Sequence, residues 1–179
     1  MKKLEQFDCL VVGAGAAGIG VGCVLQDLNI GRFSILDRGT IGASFRLWPK
    51  EMRMITPSFT GNAYGLLDLN SISLRTSPAY TLGTEHPSGD EYADYLEALA
   101  RYRKLPVQTG VDVQRIRPLD GGGFELDTDQ GVLRSRYVIW AAGEFQYPRT
   151  DSFPGAEYTV HNSQVQKWEG MPGDDYICC

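Results

Sequence analysis

The residues best suited to chemistry lie near the N-terminus. Gly13, Gly15 and Gly18 make a Gly-x-Gly-x-x-Gly turn, Gly22 follows four residues later, and Asp37 stands nineteen residues beyond Gly18. A turn of this kind ends a strand and opens a helix. Gly13 lets the chain leave the strand through a conformation that a Cβ would obstruct, and Gly15 lets the helix N-terminus approach a pyrophosphate. The free N–H groups at the start of the helix and the positive end of its dipole then face the phosphate charge. Gly18 and Gly22, one turn apart, let the helix lie close to the sheet or to the ligand. Asp37 closes the apolar segment Phe33-Ser34-Ile35-Leu36, where a carboxylate accepts hydrogen bonds from the adenosine ribose. The implied chemistry is dinucleotide binding.

Other chemistries lack their residues. No Ser-His-acid or Cys-His arrangement emerges, and His86 and His161 have no nearby partners for a metal. The catalytic residue is therefore unassigned. The cysteines are Cys9, Cys23, Cys178 and Cys179, with no disulfide framework or metal spacing, and the first two read as buried thiols in a reducing cytoplasm. A net charge of −5 with 17 scattered basic residues excludes a continuous nucleic-acid-binding face. No apolar stretch has the length of a membrane span, and Met1-Lys2-Lys3-Leu4-Glu5 is not a signal peptide, so a cytoplasmic protein with no membrane partner is expected.

These residues need elements to position them. Cys9-Leu10-Val11-Val12 reads as the strand before the turn, and Ala17, Val21, Val24, Leu25 and Leu28 recur at helical spacing until Asn29-Ile30-Gly31. Residues 50–85 are irregular, punctuated by Pro57, Gly61, Gly65, Pro78 and Gly83, and are expected to cover a ligand. Ser88 and Glu91 then form a capping box ahead of Tyr92, Tyr95, Leu96, Leu99 and Tyr102. Residues 107–109 read as a short parallel strand, and 111–117, 124–128 and 132–133 as an antiparallel meander. A separate buried strand, 137–142, enters a second glycine turn at Gly143. The 179 residues, 42% hydrophobic, suit one core. Asp175-Tyr176-Ile177-Cys178-Cys179 repeats the polarity of Asp8-Cys9-Leu10-Val11-Val12. The expected organisation is one domain over residues 1–174 and the first strand of a second nucleotide-binding domain, otherwise absent, at 175–179.

The ordered set of motifs resembles the FAD- and NADPH-dependent oxidoreductases with two dinucleotide-binding domains, in particular the flavin-containing monooxygenase-like and thioredoxin-reductase-like groups. The resemblance rests on the glycine turn, Asp37, Gly42-Ala43-Ser44-Phe45-Arg46-Leu47-Trp48, Thr109-Gly110-Val111-Asp112-Val113 and Trp140-Ala141-Ala142-Gly143-Glu144-Phe145-Gln146-Tyr147-Pro148. It implies an α/β, Rossmann-like FAD-binding domain with a parallel sheet and a small antiparallel β-meander, incomplete in this chain. By resemblance Gly13, Gly15, Ala16, Ala17 and Gly18 hold the FAD pyrophosphate, Asp37 the ribose, and the Val113 backbone meets adenine. Arg38 would lie against adenine, Ser44, Phe45 and Trp48 would run beside the pyrophosphate and flavin, and Ala142 and Gly143 would approach the cofactor.

The chain also departs from those groups. Phe153, Gly155, His161 and Trp168 follow the order of the Baeyer–Villiger fingerprint at longer spacings, and the thioredoxin-reductase CxxC is missing. The resulting expectation is a flavoprotein oxidoreductase acting on a small-molecule substrate, with FAD bound here and NADPH only in a full-length form. A truncated, non-enzymatic nucleotide-binding fragment and an NAD-dependent dehydrogenase are the alternatives. Self-association through exposed sheet surface is a further expectation.

Overall fold

Residues 6–58, 65–144, 147–171 and 173 are described by a computed structural model. The apolar run before the glycine turn is β1, Gln6–Val12, and the turn leads into α1, Ala16–Asp27. Asn29, at φ 51°, takes the chain out of α1 and toward β2, Phe33–Asp37. Two short helices follow, α2 over Ala43–Arg46 and α3 over Pro78–Leu82. Then come α4, Gly89–Arg103, β3, Val107–Thr109, β4, Val113–Pro118, β5, Phe124–Thr128, and β6, Gly131–Trp140.

The six strands form one sheet in the order β3-β2-β1-β6-β5-β4. β1 pairs in parallel with β2 and β6, and β2 with β3, whereas β5 is antiparallel to both β4 and β6. This is the expected α/β, Rossmann-like arrangement with a meander. The sequence suggested two strands around residues 132–133 and 137–142, but a single strand, β6, spans both. Its first half, to Ser135, pairs with β5, and its second half, from Arg134, pairs with β1. Nor is β6 a buried strand: only Ser135 is buried in it, because β5 leaves at that point and no described strand covers the edge beyond.

The sheet has a core on each face. Cys9, Val11 and Ile35 pack with Ile19 and Cys23 of α1 and with Tyr92, Tyr95, Leu96 and Leu99 of α4. Leu10, Val12 and Leu36 pack on the other face with Val111 and Leu126, next to Val113, Ile116 and Phe124 of the meander. Burying the sheet on both sides removes most apolar area from water and fixes where the strand ends lie.

Of the α1 stripe read from the sequence, Val21 and Leu25 pack against the core, whereas Ala17, Val24 and Leu28 face outward. Gly18, Ile19, Gly22 and Cys23 are the buried residues of α1, while Val24 and Leu28 are 53% and 64% exposed. The helix is apolar nearly all round, so periodicity does not select a face, and close approach through glycine does. A Cβ on Gly22 would lie 2.5 Å from Ile35 Cδ1, so this glycine serves the sheet rather than a ligand.

In α4 the expected stripe is buried except for Tyr102, which is 84% exposed, and the capping box is formed. Ser88 Oγ accepts from Glu91 N at 3.3 Å and Glu91 Oε2 accepts from Ser88 N at 2.8 Å. Donation from the Ser88 backbone N–H, and then from the Ser88 hydroxyl, holds the Glu91 carboxyl below its ordinary pKa. Ser88→Ala is expected to cost about 1 kcal/mol, measured by urea unfolding. The Glu91 share of that stability is complete above its unfolded pKa of about 4.3 and is lost as pH falls through the lower folded value.

Part of the irregular segment is anchored to the helices. Buried Asp68 accepts from Asn70 N at 2.7 Å, Ser77 Oγ at 2.9 Å and Ala79 N at 3.1 Å, so it ties the segment to the start of α3. Tyr92 Oη donates to Asn70 O at 2.7 Å, which ties the segment to α4. Its expected role of covering a ligand also involves residues 59–64, which lie outside the described residues, as do Phe145, Gln146 and the strand expected at 175–179.

Candidate dinucleotide-binding site

The parallel strands β2, β1 and β6 deliver three loops to one end of the sheet. At the centre, Gly13 has φ 109° and donates to Leu36 O at 2.7 Å. A Cβ there would overlap the Ala141 carbonyl, and Ala141 N itself donates to Val12 O at 2.8 Å. The first glycine turn therefore packs against the second, which includes Ala142 and Gly143, the latter at φ 76°. Gly18 is equally confined, since its Cβ would overlap the Gly13 carbonyl.

Gly15 differs from both. It is the N-cap of α1, at φ −79° and ψ −168°, and no side chain caps the helix there. No acidic residue occupies the first turn, and a Cβ on Gly15 would meet nothing within 4 Å. Ala16, Ala17 and Gly18 thus open a helix whose first N–H groups are presented beside a bare backbone. That is the requirement for holding a pyrophosphate.

Asp37 lies beside this turn and is bound into it. Its Oδ2 accepts from Ala14 N at 2.6 Å and its Oδ1 from Gly39 N at 2.8 Å. An ionised carboxylate has about four acceptor directions, so two remain for other donors such as ribose hydroxyls. Sequence reasoning assigned Asp37 to a ribose alone, whereas the folded chain also uses it to set the turn. Ala14 completes the link, because its carbonyl accepts from Gly42 N at 3.0 Å. The backbone beyond β3 joins the same corner through Gly110 N to Gly39 O, 3.2 Å, and Val111 N to Asp37 O, 2.9 Å.

The remaining sequence-derived candidates divide by place. Val111 adjoins Asp37 directly, and Val113 begins β4, half-buried and packed with the meander core. Ser44 is exposed on α2. Phe45 and Trp48 stack with ring centroids 5.1 Å apart, and Phe45 meets Tyr92 of α4 edge-on at 4.8 Å. Phe45 therefore anchors α2 on α4, with the Trp48 ring tilted against it. Arg38 is exposed and donates from Nη1 to Tyr147 Oη at 3.0 Å, with its guanidinium 5.7 Å from the ring centroid. Ala14, Gly39, Val111 and Tyr147 were not singled out from sequence, because backbone hydrogen bonds and contacts across 109 residues leave no local pattern.

The described residues hold no group of three or more His, Cys, Asp or Glu side chains able to bind a metal. Cys9 and Cys23 are buried, and burial pushes both thiols up from their ordinary pKa, so neither supplies a ready thiolate. Among the described residues no helix is long and apolar enough to cross a membrane.

Comparisons with known proteins agree with this geometry. Residues 10–178 match the sequence profile of the pyridine nucleotide-disulphide oxidoreductases. An uncharacterized CzcO-like oxidoreductase from Geobacillus kaustophilus is 30% identical over 162 residues, covering 88% of this chain and 43% of the relative. The chain thus spans less than half the length of that relative. A flavin monooxygenase variant from Stenotrophomonas maltophilia superposes with a TM-score of 0.70 at 19% identity, covering 90% of this chain and 47% of the other. The bacillithiol disulfide reductase Bdr (YpdA) from Staphylococcus aureus gives 0.68 at 16% identity, covering 85% and 43%. With a profile match over nearly its whole length and the glycine turn, acid and meander in place, the chain belongs to the pyridine nucleotide-disulphide oxidoreductase family.

Proposed function

We propose that this chain is the FAD-binding portion of an NADPH-dependent, monooxygenase-like flavoprotein oxidoreductase. The observation that carries the reading is the corner made by Gly15, the uncapped start of α1 and Asp37, whose carboxylate is fixed 2.6 Å from Ala14 N. Gly15 and the first N–H groups of α1 would hold the pyrophosphate, Asp37 the ribose, and Ala142 and Gly143 the neighbouring wall. When bound, FAD would supply the redox chemistry, accepting hydride and passing electrons to an acceptor. This chain's residues bind and orient the cofactor and shield one side of it from water.

The meander separates this reading from an NAD-dependent dehydrogenase, in which a second helix and strand continue the sheet. The structure has β4 and β5 running antiparallel instead. The name of the Stenotrophomonas protein supports a flavin, and the family description supports a pyridine nucleotide. Only one Gly-x-Gly-x-x-Gly turn occurs among the described residues, and the chain spans 43% of its Geobacillus relative. NADPH binding is accordingly assigned to a full-length form, and these residues alone would act as a nucleotide-binding fragment. Buried, protonated Cys9 and Cys23 suit a reducing cytoplasm.

Two measurements test the reading. Asp37→Ala is expected to weaken ADP binding by about 1–3 kcal/mol in calorimetric titration. Pyrophosphate binding should weaken too, by less, because Ala14 N loses its acceptor. Unchanged ADP affinity would remove Asp37 from the site. In stopped-flow mixing, FAD-loaded chain should be reduced by NADPH no faster than free FAD, and a rate that saturates with NADPH would place a nicotinamide site within these residues.

Exposed Val24, Leu28 and Trp140, with an edge of β6 that no strand covers among the described residues, lead us to expect concentration-dependent self-association. Light scattering should show the mass rising with concentration. A constant monomer mass would contradict it.

A further inference from the structure

Arg46 ends α2 and faces three acids of α4. Its Nη2 donates to Asp94 Oδ1 at 2.8 Å and to Glu97 Oε1 at 2.9 Å, and its Nη1 lies 3.9 Å from Asp90 Oδ1. Asp90, Asp94 and Glu97 stand at i, i+4 and i+7, so α4 presents them on one face. Lys50 also reaches Asp90, with Nζ 3.1 Å from Oδ2. The Arg46, Asp94 and Glu97 side chains are 32%, 62% and 35% exposed, and pairs so accessible to water add little to global stability. Their contribution is directional. Phe45 against Tyr92 fixes how far α2 lies from α4, whereas a guanidinium shared between two carboxylates fixes how α2 is turned.

The other end of α2 is joined to the glycine turn. Gly42, its N-cap, is buried and donates from N to Ala14 O at 3.0 Å. A Cβ on Gly42 would lie 2.8 Å from Ala93 Cβ, so this end too is seated on α4. The Ala14 carbonyl and the Gly15 N–H belong to one planar trans peptide and point in opposite directions. With Ala14 O held by Gly42, and Ala14 N held by Asp37 at 2.6 Å, the direction of the Gly15 N–H is set. Among the described residues no acceptor bonds to that N–H, which lies beside the open start of α1.

We infer that Arg46 is a positioning residue for the pyrophosphate: its clamp on Asp94 and Glu97 sets α2, and α2, through Gly42 N and Ala14 O, aims the Gly15 N–H at the phosphate. The inference rests on the nucleotide reading of the glycine turn. It has a sign that simple electrostatics does not share. Removing two negative charges strengthens the attraction of a protein for an anion. Removing the two carboxylates of this clamp weakens binding instead, because the N–H loses its aim.

Calorimetric titration of the full chain with inorganic pyrophosphate tests this in wild type, Arg46→Met, Arg46→Lys, the double variant Asp94→Asn/Glu97→Gln, and the triple variant that adds Arg46→Met to it. Each is titrated at a temperature where urea unfolding shows it fully folded, so a change in global stability alone leaves the affinity unmoved. Arg46→Met and the double variant are each expected to bind about tenfold more weakly, and the triple variant no more weakly than either. Arg46→Lys should stay within about threefold of wild type, because one nitrogen makes both close bonds and a lysine Nζ can replace it. Should Arg46→Met fail to fold, the double variant decides alone. Wild-type affinity in Arg46→Met, unchanged or tighter binding by the double variant, losses that add in the triple variant, or no rescue by lysine would overturn the positioning role and leave the glycine turn as the phosphate site. Absence of pyrophosphate binding to wild type would overturn the nucleotide reading and this inference with it.

Discussion

Gly15→Val is expected to abolish FAD retention while leaving the fold intact. The backbone at Gly15 is in an ordinary extended conformation, and an added Cβ would meet nothing within 4 Å, so the unliganded chain accommodates the side chain. The same side chain projects where a pyrophosphate must approach bare backbone at the start of α1. Binding should therefore disappear with unfolding free energy changed by less than about 1 kcal/mol. Gly121→Ala is a suitable control, because its Cβ would also meet nothing within 4 Å but the residue lies in the β4–β5 turn. FAD loading followed by gel filtration, with urea unfolding of each variant, checks both parts. Retention of FAD by Gly15→Val would remove this glycine from the site.

Gly13→Ala and Gly18→Ala should have the opposite signature and lose stability first. At Gly18 the methyl would overlap the Gly13 carbonyl, and at Gly13 it would overlap the Ala141 carbonyl in a backbone conformation with φ 109°. Backbone atoms on both sides leave no flexible group to yield. Overpacking costs about 3 kcal/mol at Gly18, and positive φ adds roughly 1–3 kcal/mol at Gly13. For a chain of this size each kcal/mol lowers the melting temperature by about 2–4 °C, so Gly18→Ala should melt roughly 6–12 °C below wild type. Differential scanning calorimetry without ligand measures it. A wild-type melting temperature for Gly18→Ala would contradict the close packing of α1 on the turn.

These contrasting glycines show where sequence reading succeeds and where it stops. The motif located the turn, the acid and the helix, because each follows from local backbone needs: positive φ at Gly13, an open N-terminus at Gly15 and an acid at a strand end. Within the motif the sequence left open whether Gly18 and Gly22 face the sheet or the ligand, which depends on what surrounds them in space. The spacing located α1 but did not choose its buried face, because apolar residues cover most of that helix and small residues set the side that packs on the sheet. β6 was divided in two because Ser135 and Arg136 interrupt its apolar pattern at the point where it changes partners from β5 to β1. The Asp37 to Ala14 bond and the Arg38 to Tyr147 bond join residues 23 and 109 positions apart, distances over which spacing carries no information.

The central claim is that the corner of Gly15, α1 and Asp37 binds the ADP half of FAD. Equilibrium titration of FAD and FMN into the wild-type chain, with ADP as competitor, tests it most directly. The account predicts that FAD binds, that ADP displaces it, and that FMN, lacking the adenosine part, binds at least about tenfold more weakly. FMN binding as tightly as FAD, or FAD binding that ADP leaves undisturbed, would contradict it.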